Sequence, residues 1–163
     1  MLKKLISVMD NILKYVLAAL LIGMVAVIFL QILTRYVFQS PLPWSEEVAR
    51  YLFIFVTYLG VSRAIGTGGH IALDILTSNL KPRTHGFINL IIDLIVAFYF
   101  TFLIYTSILL LPIIARQFTP ALNISYAFIY IAIPLGSSIS IIYLGNKMID
   151  DVKNLSQKGG ETL

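Results

Sequence analysis

Apolar residues along this chain are collected into four long runs, which short polar segments separate. The runs cover about residues 15–34, 45–65, 86–111 and 121–145. A helix rises about 1.5 Å per residue, so about 20 residues cross the roughly 30 Å hydrocarbon layer of a bilayer. The pattern predicts four transmembrane helices in a single membrane domain, residues 1–150, and a flexible cytoplasmic tail at residues 151–163.

The composition supports a membrane protein and excludes several other classes. Of the 163 residues, 58% are hydrophobic and 12% are charged, and the mean hydropathy is +0.89. A water-soluble chain of this length cannot bury so large an apolar fraction. We therefore expect an all-α integral membrane protein. The chain contains no cysteine, which excludes disulfide bonds and thiolate metal sites.

The basic residues predict how the four spans are oriented. Nine of the twelve lie in the N-terminal segment, in the connection between spans two and three, or in the tail: Lys3, Lys4, Lys14, Arg63, Lys81, Arg83, Lys147, Lys153 and Lys158. Because basic residues concentrate on the cytoplasmic side of membrane proteins, we expect both termini in the cytoplasm. This bias also explains the net charge of +4 without nucleic-acid binding, for which the chain has no basic stripe.

The connection between spans two and three predicts one further element. A glycine-rich stretch, residues 66–69, ends the second apolar run, and Pro82 precedes the third. Residues 70–80 between them alternate apolar and polar positions at helical spacing, but they are too few to cross a bilayer. We expect a short helix there, lying along the cytoplasmic membrane surface.

Polar residues gather where the second run begins. Pro41 and Pro43 interrupt any helix that arrives from upstream, so a new helix must start near them. Ser45 is the predicted N-cap, which would place the two glutamates that follow it in the first turn, and Arg50 one turn later within reach of both. The cluster is Arg35, Trp44, Ser45, Glu46, Glu47 and Arg50. It is either a capped helix start with a local ion pair or a contact with another protein, and both interpretations can hold.

Two further hypotheses concern charged residues near the spans. Arg35, at the outer end of span one, is expected to pair with Glu46 or Glu47 and so fix how spans one and two pack.

Asp93 lies about seven residues inside span three. It is either a proton or sodium site, or a carboxylate just below the headgroups that reaches water or neighbouring donors. The absence of a nearby basic residue in the sequence favours the second interpretation.

The residues that carry catalysis are almost absent from the chain. Its two histidines, His70 and His85, both fall in the connection between spans two and three, where neither can serve as an axial haem ligand inside a span. No residues have the spacing of a zinc site, and no serine has the context of a nucleophile. We expect no enzymatic activity, no metal and no cofactor.

The run from Gln31 to Asp74 contains a distinctive series of motifs. An arginine ends span one, and a Pro-x-x-Trp-Ser-Glu-Glu-x-Ala-Arg segment, a glycine in span two, an arginine, and a His-Ile-x-x-Asp element follow it. In this chain these are Arg35, residues 41–50, Gly60, Arg63, and residues 70–74, which begin at His70 and end at Asp74. In this series the run resembles the small membrane subunit of tripartite ATP-independent periplasmic (TRAP) transporters.

The resemblance implies a bacterial inner-membrane protein that works with two partners. In that family a periplasmic substrate-binding protein captures an organic acid anion, such as sialic acid or a C4-dicarboxylate, and delivers it to a large permease subunit driven by sodium. The small subunit forms an obligate heterodimer with the large one and is expected to act as its scaffold. Sodium coupling is expected in the large subunit.

Two alternatives from other classes remain open on the residues alone. One is a self-sufficient, homo-oligomeric small multidrug exporter that uses Asp93 to couple proton flow to export. The other is an assembly factor for an unrelated membrane complex. Co-isolation of a large permease supports the family interpretation, whereas a stable, active homodimer supports the exporter.

Overall fold

A computed structural model describes the backbone of residues 2–67 and 82–160 and the side chains of residues 6–67 and 88–149. Within these residues the chain forms five helices: α1 (Leu2–Tyr36), α2 (Pro43–Gly66), α3 (Pro82–Ile114), α4 (Tyr126–Tyr130) and α5 (Ala132–Gly160). Four stretches are long and apolar enough to span a membrane, namely Ile6–Tyr36, Pro43–Gly66, Ile88–Ile114 and Tyr126–Ile149. The predicted all-α, four-span class is confirmed. The predicted interfacial helix at residues 70–80 lies outside the described residues.

The long helices pack in a spatial order that differs from their order along the chain. Extensive contacts join α1 to α2, α2 to α5, and α5 to α3, so α5 lies between α2 and α3. Within the described residues, α1 and α3 each make extensive contacts with a single long helix, so they lie at the two ends of this row of contacts. We call the end of the helices that carries the α1–α2 turn the Glu47 end, and the opposite end, where α2 finishes, the Arg63 end.

Helix α2 begins at Pro43, two residues before the predicted start, so the assignment of Ser45 as the N-cap was wrong. Leu42 occupies the N-cap position with extended backbone (φ −98°, ψ 103°) and gives no side-chain cap. Proline is favoured in the first turn because its missing N–H needs no partner there. Ser45 is instead fully buried in that turn, and its Oγ donates to the carbonyl oxygen of Leu42 at 2.7 Å.

The fourth span begins at Tyr126, five residues later than expected. Residues 115–125 form a loop that contains one isolated antiparallel bridge, between Phe118 and Ser125. Asn123 adopts a positive φ of 53° in this loop. Ser125 then caps the short helix α4, because its Oγ accepts a hydrogen bond from the amide of Ala127 at 3.2 Å.

The helical path is interrupted at Ile131, between α4 and α5. Pro134 lies three residues further on, and its ring nitrogen has no hydrogen to donate to the carbonyl of Tyr130. This interruption agrees with the bend that a proline in an apolar run predicts.

The backbones of helices α2 and α5 approach each other closely at Gly136. A Cβ atom placed on this glycine would lie 2.8 Å from both the Cβ and the carbonyl oxygen of Tyr58. The Oγ of Ser62 lies 2.7 Å from the carbonyl oxygens of Tyr58 and Gly136. The Oγ of Ser140 lies 2.9 Å from the Gly136 carbonyl and 3.1 Å from the Ser62 Oγ. Small residues and hydroxyls thus hold the two backbones together where lipid offers no hydrophobic drive between helices.

Candidate functional site

Glu47 organises the polar structure at its end of the helices. Its side-chain oxygens accept hydrogen bonds from the backbone amides of Ala121, at 2.9 Å, and Leu122, at 3.1 Å. The side chains of Thr119 and Tyr51 also lie beside this carboxylate. The residue is buried. Glu47 therefore fastens the 115–125 loop to α2, across 74 residues of sequence.

Glu46 and Arg50 form the ion pair that their spacing predicts. The Arg50 Nη2 lies 3.0 Å from the Glu46 Oε1, and both side chains are mostly exposed. Exposed pairs of this kind add little stability, typically about 0.3–0.5 kcal/mol on a helix. The pair lines an open groove of about 360 Å³ together with Pro43, Glu47, Pro120 and Ala121. The Glu46–Arg50 pair therefore contributes an exposed polar surface at this end of the helices, and little stability.

Arg35 does not join this cluster in the way expected. Among the described residues no ion pair links it to Glu46 or Glu47, because Arg50 holds the first carboxylate and the loop amides hold the second. The Arg35 guanidinium lies 5.7 Å from the centre of the Tyr36 ring instead. The expected pairing was wrong because it considered only neighbouring segments of sequence and omitted the loop that follows α3. Trp44, also in the predicted cluster, is partly exposed at the same end.

Arg63 marks the opposite end and ties α2 to α1. Its Nε lies 3.0 Å from the Oδ1 of Asp10, and each side chain is about one-third exposed. The ring of Tyr143, from α5, packs against Gly66 so closely that a Cβ there would lie 2.6 Å from the ring. Asp10 was not predicted as a site residue, since no local pattern connects it with Arg63. The other two residues of the predicted motif at this end, His70 and Asp74, lie outside the described residues.

Asp93 has the basic partner that the sequence did not suggest. The Nζ of Lys147 lies 3.0 Å from its Oδ1, and the Asp93 side chain is only 1% exposed. Because the span that begins at Tyr126 continues as a helix to Ile149, Lys147 is carried to the level of Asp93. The expectation of an acid without a nearby base was therefore wrong. The pair joins α3 to α5 and gives Asp93 a structural role.

Together these observations define a class of protein. Four helices span the membrane, and the buried or half-buried acids Glu47, Asp93 and Asp10 are each matched by donors from another part of the chain. Within the described residues, no group of three or more His, Cys, Asp or Glu side chains is placed to hold a metal ion. The chain is a multi-pass helical membrane protein whose charges fasten its own helices.

Comparison with known families makes the assignment specific. The family model of the DctQ component of tripartite ATP-independent periplasmic transporters matches residues 24–154. The chain belongs to this family, and it is a component of a TRAP transporter, as the motif between Gln31 and Asp74 predicted.

Three relatives illustrate the similarity. The sialic acid TRAP transporter permease protein SiaT of Haemophilus influenzae is 40% identical over 77 residues, which are 47% of this chain and 12% of the relative. Another Haemophilus influenzae protein, provisionally named a TRAP transporter small permease protein, is 25% identical over 155 residues, 95% of this chain and 94% of the relative. The isethionate TRAP transporter permease protein DctMQ of Oleidesulfovibrio alaskensis is 28% identical over 145 residues, 82% of this chain and 23% of the relative. This chain thus spans a small fraction of two of them.

Proposed function

We propose that this chain is the small, non-transporting subunit of a TRAP importer and that it braces a large permease subunit in the bacterial inner membrane. The observation that carries the proposal is the pairing of its charges. Asp93 is matched by Lys147, Arg63 by Asp10, and Glu47 by two amides of the 115–125 loop. A subunit that translocates an anion needs a positive group or free donors available to that anion. Here the buried and half-buried charges of the described spans are engaged in holding segments of the chain together.

The same pairing disfavours the exporter alternative. A proton-coupling carboxylate must exchange its proton with an aqueous cavity during each cycle. Asp93 is almost fully buried, and an ammonium group lies 3.0 Å from it. A carboxylate buried in this way does not face such a cavity.

The orientation and partners follow as parts of the proposal. We place both termini in the cytoplasm on the distribution of basic residues, so that the Glu47 end faces the periplasm. The polar groove lined by Glu46 and Arg50, with the exposed Trp44 at the same end, then lies where another TRAP component would meet this subunit. We favour locking to the large subunit over docking of the periplasmic binding protein as its use.

The solute is proposed only as a class, an organic acid anion such as sialic acid or a C4-dicarboxylate, carried by sodium symport through the large subunit. Two relatives are named as sialic acid and isethionate permease proteins, so sequences similar to this chain occur in proteins named for different anions.

Reconstitution into liposomes tests the proposal directly. This chain, its large permease partner and the binding protein are purified and combined in every subset under an inward sodium gradient, with radiolabelled sialic acid or succinate as the probe. Uptake is expected only when all three components are present. Uptake by this chain alone, with no added partner, would overturn the proposal.

A further inference from the structure

The outer surface of α3 carries a regular seam of large side chains. Positions 91, 95, 98, 102, 105 and 109 follow one another at steps of four and three residues, and each of their side chains is at least 41% exposed: Ile91, Ile95, Phe98, Phe102, Tyr105 and Leu109. This spacing is typical of a face that packs against another helix. Lipid also accepts an apolar face, so the spacing alone does not identify what covers it.

The depth of two tyrosines in the membrane distinguishes a protein neighbour from lipid. Tyr99 lies two residues, or about 3 Å of helix rise, from the middle of the span Ile88–Ile114, and Tyr105 lies four residues, or about 6 Å, from it. Tyr99 is 55% exposed and Tyr105 is 63% exposed. Within the described residues neither phenol hydroxyl forms a hydrogen bond. A hydroxyl that faces hydrocarbon without a partner is costly, and membrane tyrosines concentrate at the headgroup level for this reason.

Exposed threonine hydroxyls in the spans do not have this problem. Thr57, Thr101 and Thr106 each donate to the carbonyl oxygen four residues earlier, at 2.8 to 2.9 Å. Their hydroxyls are satisfied within their own helix even if lipid surrounds them. A phenol hydroxyl lies too far from its own backbone for such a bond. The two tyrosines of α3 therefore need acceptors from outside the chain.

Helix α1, at the other end of the row, provides an internal comparison. The middle of its span, Ile6–Tyr36, is residue 21, and the exposed side chains beside it are aliphatic, including Ile22 and Val25. Its exposed tyrosines, Tyr15 and Tyr36, lie about 9 and 22 Å of helix rise from that middle. This arrangement suits lipid. The contrast singles out α3 as the end of the row that meets protein.

We propose that the outer face of α3, which carries Tyr105 and has Tyr99 at its edge, is where a transmembrane helix of the large permease subunit packs. That helix supplies hydrogen-bond acceptors, either side-chain or backbone oxygens, at the middle of the membrane. The inference rests on the proposed function and adds the location of the contact. Two relatives named permease proteins are several times longer than the part that matches this chain, so a sequence of this kind also occurs within a larger permease polypeptide.

Cross-linking in the intact complex tests the location. The chain has no cysteine, so single cysteines can be placed without a background. We substitute Phe98, Phe102 or Leu109 on α3, and Ile22 or Val25 on α1, and attach a maleimide benzophenone in membranes that contain the large subunit. Adducts with the large subunit are expected at least severalfold more often from the α3 positions.

The outcomes separate the location from the proposed function. Adducts with the large subunit mainly from α1 would overturn the inference and leave the proposed function intact. Adducts between two copies of this chain through α3 would also overturn it. Failure of the unsubstituted chain to co-purify with the large subunit would instead remove the proposed function itself.

The hydroxyl groups have their own test, which changes no packing volume. The double variant Tyr99→Phe/Tyr105→Phe is expected to raise the dissociation constant of the heterodimer about threefold per hydroxyl, or roughly tenfold in all. Tyr15→Phe on α1 is the matched control and should leave the constant unchanged. Microscale thermophoresis in nanodiscs measures both. Equal affinity of the double variant and the control would overturn the acceptor role assigned to the partner helix.

Discussion

A methyl group added at Gly136 should separate α2 from α5. The alanine Cβ would lie 2.8 Å from the Cβ and carbonyl oxygen of Tyr58 and 2.9 Å from its carbonyl carbon. Two of these three atoms belong to the α2 backbone, so rotation of a side chain cannot relieve the contact. The helices must move apart by nearly 1 Å to restore ordinary van der Waals distances of about 3.5–4.0 Å.

The expected loss of stability has two sources. Overpacking of a close contact typically costs about 1–3 kcal/mol. The same movement lengthens the hydrogen bond between Ser62 and the Gly136 carbonyl, now 2.7 Å, and interhelical bonds of this kind contribute about 0.6 kcal/mol on average in membrane proteins. We therefore expect Gly136→Ala to lower the free energy of unfolding by about 2–4 kcal/mol.

Gly145, in the same helix, is the matched control, since a Cβ placed there meets nothing within 4 Å. Gly145→Ala should be neutral or slightly stabilising because alanine is the better helix former. Titration of both variants with SDS from a mild detergent, followed by tryptophan fluorescence of Trp44 or by circular dichroism, measures the difference. Independent substitutions scatter by about 0.5 kcal/mol. If the free energies of unfolding of Gly136→Ala and Gly145→Ala differ by less than this, the close approach at Gly136 is wrong.

Three other substitutions test the ion pairs and the loop anchor. Glu47→Gln should speed hydrogen–deuterium exchange of the 115–125 loop amides severalfold, because a neutral amide accepts hydrogen bonds more weakly than a carboxylate. Glu46→Gln is the control: Glu46 touches no loop amide, so exchange should be unchanged. Lys147→Met should cost about 3 kcal/mol or more by leaving a buried carboxylate without its ammonium. Adding Asp93→Asn to it should recover much of that loss in an SDS titration, and no recovery would contradict the pairing. Arg63→Ala should cost only about 1 kcal/mol or less, because that pair is partly solvated.

The local features of this protein were readable from its sequence. Hydropathy located the four spans because a bilayer demands about 20 apolar residues for each crossing. The Glu46–Arg50 pair followed from a spacing of four residues on one helix. The start of α2 was displaced by only two residues, because two residues of that region, Pro43 and Ser45, both suit the start of a helix.

The contacts between segments were not readable in the same way. Asp93 and Lys147 are 54 residues apart, and Arg63 and Asp10 are 53 apart. Their meeting depends on the relative height and rotation of two helices, which hydropathy does not specify. Lys147 was misplaced because the apolar run ends at residue 145 while the helix continues.

One nonlocal contact did leave a signal in the sequence. Gly136 and Ser140 are four residues apart in an apolar run, and small residues at this spacing favour close helix association in membranes. The pattern marks a close approach on α5 without naming the facing helix. The structure supplies that partner as α2, through Tyr58 and Ser62.

The arrangement of α1, α2, α5 and α3 side by side has a geometric consequence. Among the described residues, side chains from all four of these helices meet in one buried cluster, which includes Leu13, Ile65, Phe100 and Leu144. Side chains therefore fill the space between the helices. Any route for a solute would have to run outside them, along a surface shared with whatever stands beside this protein.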